Sequence, residues 1–221
     1  MNVDQLNVDQ LNADQVKKLF LCVAGRIVIN EPYLTEIDMK IGDGDHGTGM
    51  ELGFKAVLEQ LPSLEAESVE SVFQELGRIL LDTMGGASGV LFGTMFISGV
   101  IRRKPSCCFG LSDFAESFRV SLNAIMQRGK ARVGDKTMVD ALEPAVAALE
   151  YAAFQGLTIH EGFSMAAAAA KKGVEYTKEI KARFGRAKYY GDKAIGLQDA
   201  GATSVWLIFQ AMSDWVSNNL I

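Results

Sequence analysis

The spacing of apolar residues along the chain predicts helix after helix and no strand. Residues 14–30 set Val16, Phe20, Val23 and Ile27 at helical spacing and close before Pro32. A loop with several glycines and aspartates follows over residues 33–46. The second helix, 47–59, is expected to bury Leu52, Phe54 and Val57. The third, 68–84, carries Val72, Leu76, Ile79 and Leu80. The fourth, 88–101, is almost wholly apolar and stops at Arg102, Arg103 and Pro105. The fifth, 112–128, has Asp113 and Glu116 at capping-box spacing near its start. The sixth, 137–154, presents Leu142, Val146, Leu149 and Ala153. The seventh opens on a second capping box, Thr158 to Glu161, and is expected to end near Phe184. The eighth, 202–218, shows Val205, Ile208, Phe209, Met212 and Val216, an amphipathic stripe.

Eight helices joined in sequence imply an all-α, up-and-down antiparallel barrel or bundle. Four connections are irregular: residues 38–46, 85–88, 129–136 and 185–201. They join helices one to two, three to four, five to six and seven to eight. In an up-and-down arrangement all four therefore lie at the same end, which gathers every unusual loop into one site.

Composition narrows the picture. A chain of 221 residues can bury a full core without disulfide or metal staples. The net charge of −5 argues against a nucleic-acid partner. Three cysteines, two of them adjacent at Cys107 and Cys108, form no disulfide framework and suit a reducing cytoplasm. The first residues show no basic region followed by an apolar one, so no signal peptide is expected. Residues 83–101 carry no charge, but five glycines and several hydroxyls point to a helix buried in a protein core, with no membrane. The N-terminus repeats a pentapeptide, beginning at Asn2, Asn7 and Asn12. Residues 1–13 are read as a flexible extension and 14–221 as one domain.

The chemistry lies in the four loops. The first holds Asp38, Asp43 and Asp45, spaced by glycines and followed by His46. Carboxylates crowded into a turn repel one another and suit a hard cation such as magnesium, which shares its oxygen ligands with phosphates. Aspartates capping the next helix would be the plainer explanation. An EF-hand is excluded, because positions five, six and twelve from Asp43 are Gly47, Thr48 and Phe54. The second loop, Gly85-Gly-Ala-Ser-Gly89, runs into a helix and offers free N–H groups to an anion. The third and fourth bring Arg128, Lys130, Arg132, Lys136, Arg183, Arg186 and Lys188. Arg186 is the best candidate for a phosphoryl contact, since its fork matches phosphate oxygens.

Together these motifs resemble the nucleotide-binding L subunit of dihydroxyacetone kinases. The matching pieces are Ile41-Gly-Asp-Gly-Asp-His-Gly47, Gly85-Gly-Ala-Ser-Gly89, Leu91-Phe-Gly93, Arg128-Gly-Lys-Ala131, Gly134-Asp-Lys-Thr-Met138, Gly185-Arg-Ala187 and Gln198-Asp-Ala-Gly-Ala-Thr-Ser204. The resemblance implies an eight-helix barrel with ADP or ATP and two magnesium ions at one end. It assigns the metal to Asp38, Asp43 and Asp45. It sets His46, Gly47, Thr48, Gly49, Ala87, Ser88, Gly129, Met138, Arg186, Asp199, Ala200 and Gly201 around the nucleotide, with Arg186 and His46 in the catalytic role.

The implied activity is phosphoryl transfer to dihydroxyacetone or a related ketose held on a separate K-type subunit. The donor is either free ATP or bound ADP rephosphorylated by a phosphotransferase-system carrier protein. The resemblance leaves room for a homodimer. Two other readings compete: a nucleotide-sensing module that contacts a regulator without turnover, and a metal-dependent phosphohydrolase. Three crowded carboxylates with Arg186 favour catalysis over sensing.

Overall fold

The structure is a computed structural model that describes residues 9–220. It contains nine α-helices among the described residues: α1 (Ala13–Ile29), α2 (Glu31–Ile41), α3 (His46–Gln60), α4 (Val69–Thr83), α5 (Gly86–Ile97), α6 (Leu111–Gly129), α7 (Val139–Phe154), α8 (Ile159–Thr177) and α9 (Ala200–Asn219). Consecutive helices pack side by side, and α9 packs back on α1, so the ring closes. The helix α2 replaces the first part of the loop expected over 33–46. Pro32 opens it from its first turn, where the missing N–H costs nothing. Because α1 and α2 both lie between α3 and α9, they form one bent stave, and the barrel has eight staves.

Several local expectations are corrected. Leu52 is 58% exposed; Met50, Phe54 and Val57 make the buried face of α3 instead. Asp113 caps backward, accepting from Gly110 N at 2.9 Å, rather than forward to Glu116. The seventh predicted helix ends at Thr177, and a 3-10 segment, Arg186–Ala194, occupies the connection that follows. The Thr158–Glu161 capping box forms as expected. Two short strands also exist: β1 (Gln10–Asn12) pairs antiparallel with β2 (Cys108–Gly110). Leu11 in β1 is fully buried, and Asn12 caps α1. The ordered fold thus takes in residues 9–13 of the expected extension, while residues 1–8 lie outside the described residues.

The core is aromatic toward the strand end. Phe20 meets Phe73 edge-on at 4.8 Å, Phe114 meets Phe163 at 5.2 Å, and Phe118 meets Phe209 at 5.2 Å. Such pairs add to the area they bury. The apolar α5 is held close to α4: a Cβ on Gly77 would stand 2.8 Å from Gly93 O. No helix among the described residues is long and apolar enough to cross a membrane.

Candidate phosphate and metal site

The end opposite the strands holds a cavity of about 460 Å³. Residues from all four irregular connections line it, as the loop order predicted. Four helices, α3, α5, α7 and α9, begin here, and each contributes residues of its first turn: His46, Ala87 with Ser88, Val139, and Ala200 with Gly201. The first N–H groups of a helix lack intrahelical partners and carry the positive end of its dipole. At α3, α5 and α9 such an end can attract an anion, whereas the first N–H groups of α7 are already taken by Thr137 Oγ1, Thr137 O and Met138 O.

Beside them the carboxylates of Asp38, Asp43 and Asp45 bring oxygens within 4.8 Å of one another. Asp38 is held by the loop itself: its Oδ2 accepts from Gly44 N at 2.8 Å and His46 N at 3.3 Å. Gly44 allows this turn with φ of 79°. Burial, then the neighbouring Asp43 and Asp38, pushes the Asp45 carboxyl up, and Arg186 partly offsets this. A cation would relieve the same repulsion, and oxygen donors alone suit a hard one.

His46 opens α3. Ser204 Oγ donates to Ala200 O at 3.1 Å, so it accepts from His46 Nε2 at 2.8 Å. That leaves Nδ1 as an acceptor facing Ser88 Oγ at 3.5 Å. Burial pushes the His46 pKa down, against the pull of Asp38, so the ring stays neutral. His46 thereby ties the starts of α3, α5 and α9 together.

Asp199 caps α9, accepting from Ala202 N at 2.7 Å. Burial pushes its carboxyl up to about 7, although the Ala202 N–H and Lys136 favour the charged form. Arg186 Nε meets Asp43 Oδ2 at 2.7 Å from a side chain that is 70% exposed. The remaining wall is apolar, including Leu91, Ile125, Val139 and Phe184.

Of the residues assigned from sequence, Asp38, Asp43, Asp45, His46, Ala87, Ser88, Gly129, Met138, Arg186, Asp199, Ala200 and Gly201 all line this cavity. Gly47, Thr48 and Gly49 do not. Gly47 is pressed against α2, where a Cβ would stand 2.2 Å from Thr35 Oγ1, and Thr48 Oγ1 donates to Asp45 O at 2.9 Å. Gly47 and Thr48 offer the site only the N–H groups of the first helical turn. Among the loop cations, Arg128 and Lys136 line the cavity beside Arg186, while Arg183 turns to Asp135 at 3.6 Å. Lys136, one of these loop cations, is only 1% exposed. Nothing in residue spacing signals a buried lysine, though it stands inside the motif Gly134-Asp-Lys-Thr-Met138.

Fold and site together define an all-α barrel domain whose loop end sets an acidic triad beside the starts of four helices. The chain belongs to the DAK2 domain family, which matches residues 40–214. It is 38% identical over 181 residues to the PEP-dependent dihydroxyacetone kinase, ADP-binding subunit DhaL, of Escherichia coli, covering 82% of this chain and 86% of that one. The PTS-dependent dihydroxyacetone kinase, ADP-binding subunit DhaL, of Lactococcus lactis is 32% identical, with 87% and 92% covered. The D-erythrulose kinase of Mycolicibacterium smegmatis is 32% identical over 91% of this chain and 35% of its own length. The crystal structure of the native dihydroxyacetone kinase of C. freundii superposes with a TM-score of 0.72 at 25% identity, covering 90% of this chain and 34% of that one.

Proposed function

We propose that this chain is the nucleotide-binding subunit of a dihydroxyacetone or related ketose kinase. The observation that carries the reading is the acidic triad beside a cavity ringed by four helix N-termini. The residues fit the groups that such a subunit needs. Asp38, Asp43 and Asp45 would hold two magnesium ions, which neutralise phosphate charge. The N–H groups that open α3, α5 and α9 bind phosphate oxygens of ADP or ATP, and the apolar wall takes the base. Phosphoryl transfer needs positioning and charge neutralisation more than covalent help. Arg186, on an exposed rim, supplies positive charge to the group in flight. Neutral His46 orients the starts of three helices and faces the phosphates. Gly47 and Thr48 contribute their backbone N–H groups, while that of Gly49 is taken by Asp45 O.

The ketose is held on a K-type partner that docks at the loop end, and the site works in the cytoplasm as a phosphotransferase. The similarity to DhaL subunits whose names specify PEP or PTS dependence, at 38% identity in the first, supports bound ADP recharged by a phosphocarrier protein as the donor. The test is a reconstitution with a K-type subunit, comparing ATP with a phosphorylated carrier. Ketose phosphorylation is expected only with the partner present. Robust phosphorylation by the chain alone would overturn the placement of the ketose on a separate partner.

A further inference from the structure

Lys136 is a charged side chain where charge is costly. Burial pushes its pKa down, against the pull of Asp199 and Asp140. Its backbone is left-handed, with φ of 59°, a conformation uncommon outside glycine. Asp140 imposes that turn: its carboxylate, buried in α7, accepts from Gly134 N at 2.6 Å and Thr137 N at 2.7 Å. The chain on both sides of Lys136 is therefore fixed, and the side chain runs inward. Its ammonium donates to Thr177 O and to Leu197 O. Thr177 ends α8, and Leu197 stands two residues before Asp199. The Thr177 hydroxyl also accepts from Asp199 N at 3.0 Å. One tie thus spans the end of α8 and the approach to α9, where Asp199 and the first α9 turn face the cavity.

We propose that Lys136 is a positioning residue for the nucleotide site: its ammonium fixes residues 197–199 against the end of α8, and so sets the Asp199 carboxylate that faces the ligand. The proposal rests on the nucleotide reading above and adds a residue that acts through Asp199 rather than on the ligand. A nucleotide brings its hydrogen-bond donors on the ribose and the base, so a carboxylate lining the cavity gains only if placed against them. A displaced Asp199 would meet phosphate instead, at a cost.

The test is a double-mutant cycle read by calorimetric titration with ADP and magnesium, on wild type, Lys136→Met, Asp199→Asn and the double variant. Lys136→Met is expected to weaken ADP binding about ten- to hundredfold in the wild-type background and at most about twofold beside Asp199→Asn. Combined with Ser88→Ala, on the α5 side of the cavity, its factor is expected to multiply unchanged. A purely structural lysine would give the same factor in both backgrounds, and that result overturns the proposal. Thermal unfolding checks that each variant is folded; if Lys136→Met is not, Lys136→Gln is read in the same cycle against the same outcomes. Wild type that fails to bind ADP overturns the nucleotide reading itself. Wild type that binds while the cycle is additive overturns only the role of Lys136.

Discussion

Arg186 Nε lies 2.7 Å from Asp43 Oδ2, which joins the 3-10 segment between α8 and α9 to the acidic loop between α2 and α3. A second contact lands one residue away, where Tyr190 OH donates to Gly42 O at 3.2 Å. The carboxylate of Asp43 therefore serves two purposes. It faces the other two acids, where a cation would bind, and it anchors the arginine on the rim.

Asp43→Asn should weaken binding of ADP with magnesium without disturbing the barrel. Asp43 is exposed and outside the core, so unfolding and the helical signal should stay near wild type. Losing one charge-assisted contact costs about 1.5–3 kcal/mol, or roughly 10- to 100-fold in affinity. Calorimetric titration with ADP and magnesium checks this, and unchanged affinity would remove Asp43 from the metal site.

Arg186→Ala should slow transfer in the reconstituted enzyme by about 100- to 1,000-fold, the usual effect of removing one group that stabilises transition-state charge. Its side chain is 70% exposed, so thermal stability should not change. The comparison is a rate measured with the K-type partner at saturating nucleotide. Equal rates for variant and wild type would place Arg186 outside the chemistry.

The stave order and the shared end of the four loops were legible because amphipathic periodicity marks most of the helices and loop parity needs only the number of staves, which α1 and α2 together leave at eight. The site residues were legible through motifs, each weak alone. What escaped had physical causes. The helix α2 was hidden because Pro32 reads as a stop, although it also opens a helix. The stripe of α3 was misassigned at Leu52 because its buried face is made partly by Gly47 and Gly53, which carry no hydropathy signal. Strand β1 is three residues long, too short for alternation to show. Lys136 escaped because a buried ammonium depends on carbonyls distant in sequence, here Thr177 and Leu197.

Ligand should stabilise the fold by mass action. At about 100 times its dissociation constant, ADP with magnesium adds roughly 2.7 kcal/mol. The effect should need both components, because the acidic triad repels phosphate until a cation is bound. A thermal scan with ADP, with magnesium and with both should show its main shift only in the last. An equal shift with ADP in the presence of a chelator would separate the triad from nucleotide binding.

Asp199 links the site to pH. Its folded carboxyl titrates near 7, whereas an unfolded aspartate titrates near 3.9. Between those values the native state keeps a proton that the unfolded state has lost. Stability contributed through Asp199 is thus greatest below about pH 4 and falls as pH rises toward 7, the slope set by the difference in bound protons. Asp199→Asn removes that titration while keeping an acceptor for Ala202 N, since asparagine caps helices about as well as aspartate. The variant should therefore be more stable than wild type at pH 8, with the gap closing toward pH 4. It should also bind ADP more weakly, because the carboxylate facing the cavity is gone. Urea unfolding of both proteins from pH 4 to 8 measures the gap. A gap that does not grow with pH would mean that Asp199 is ionised in the fold at low pH, held so by Lys136 more strongly than burial opposes it.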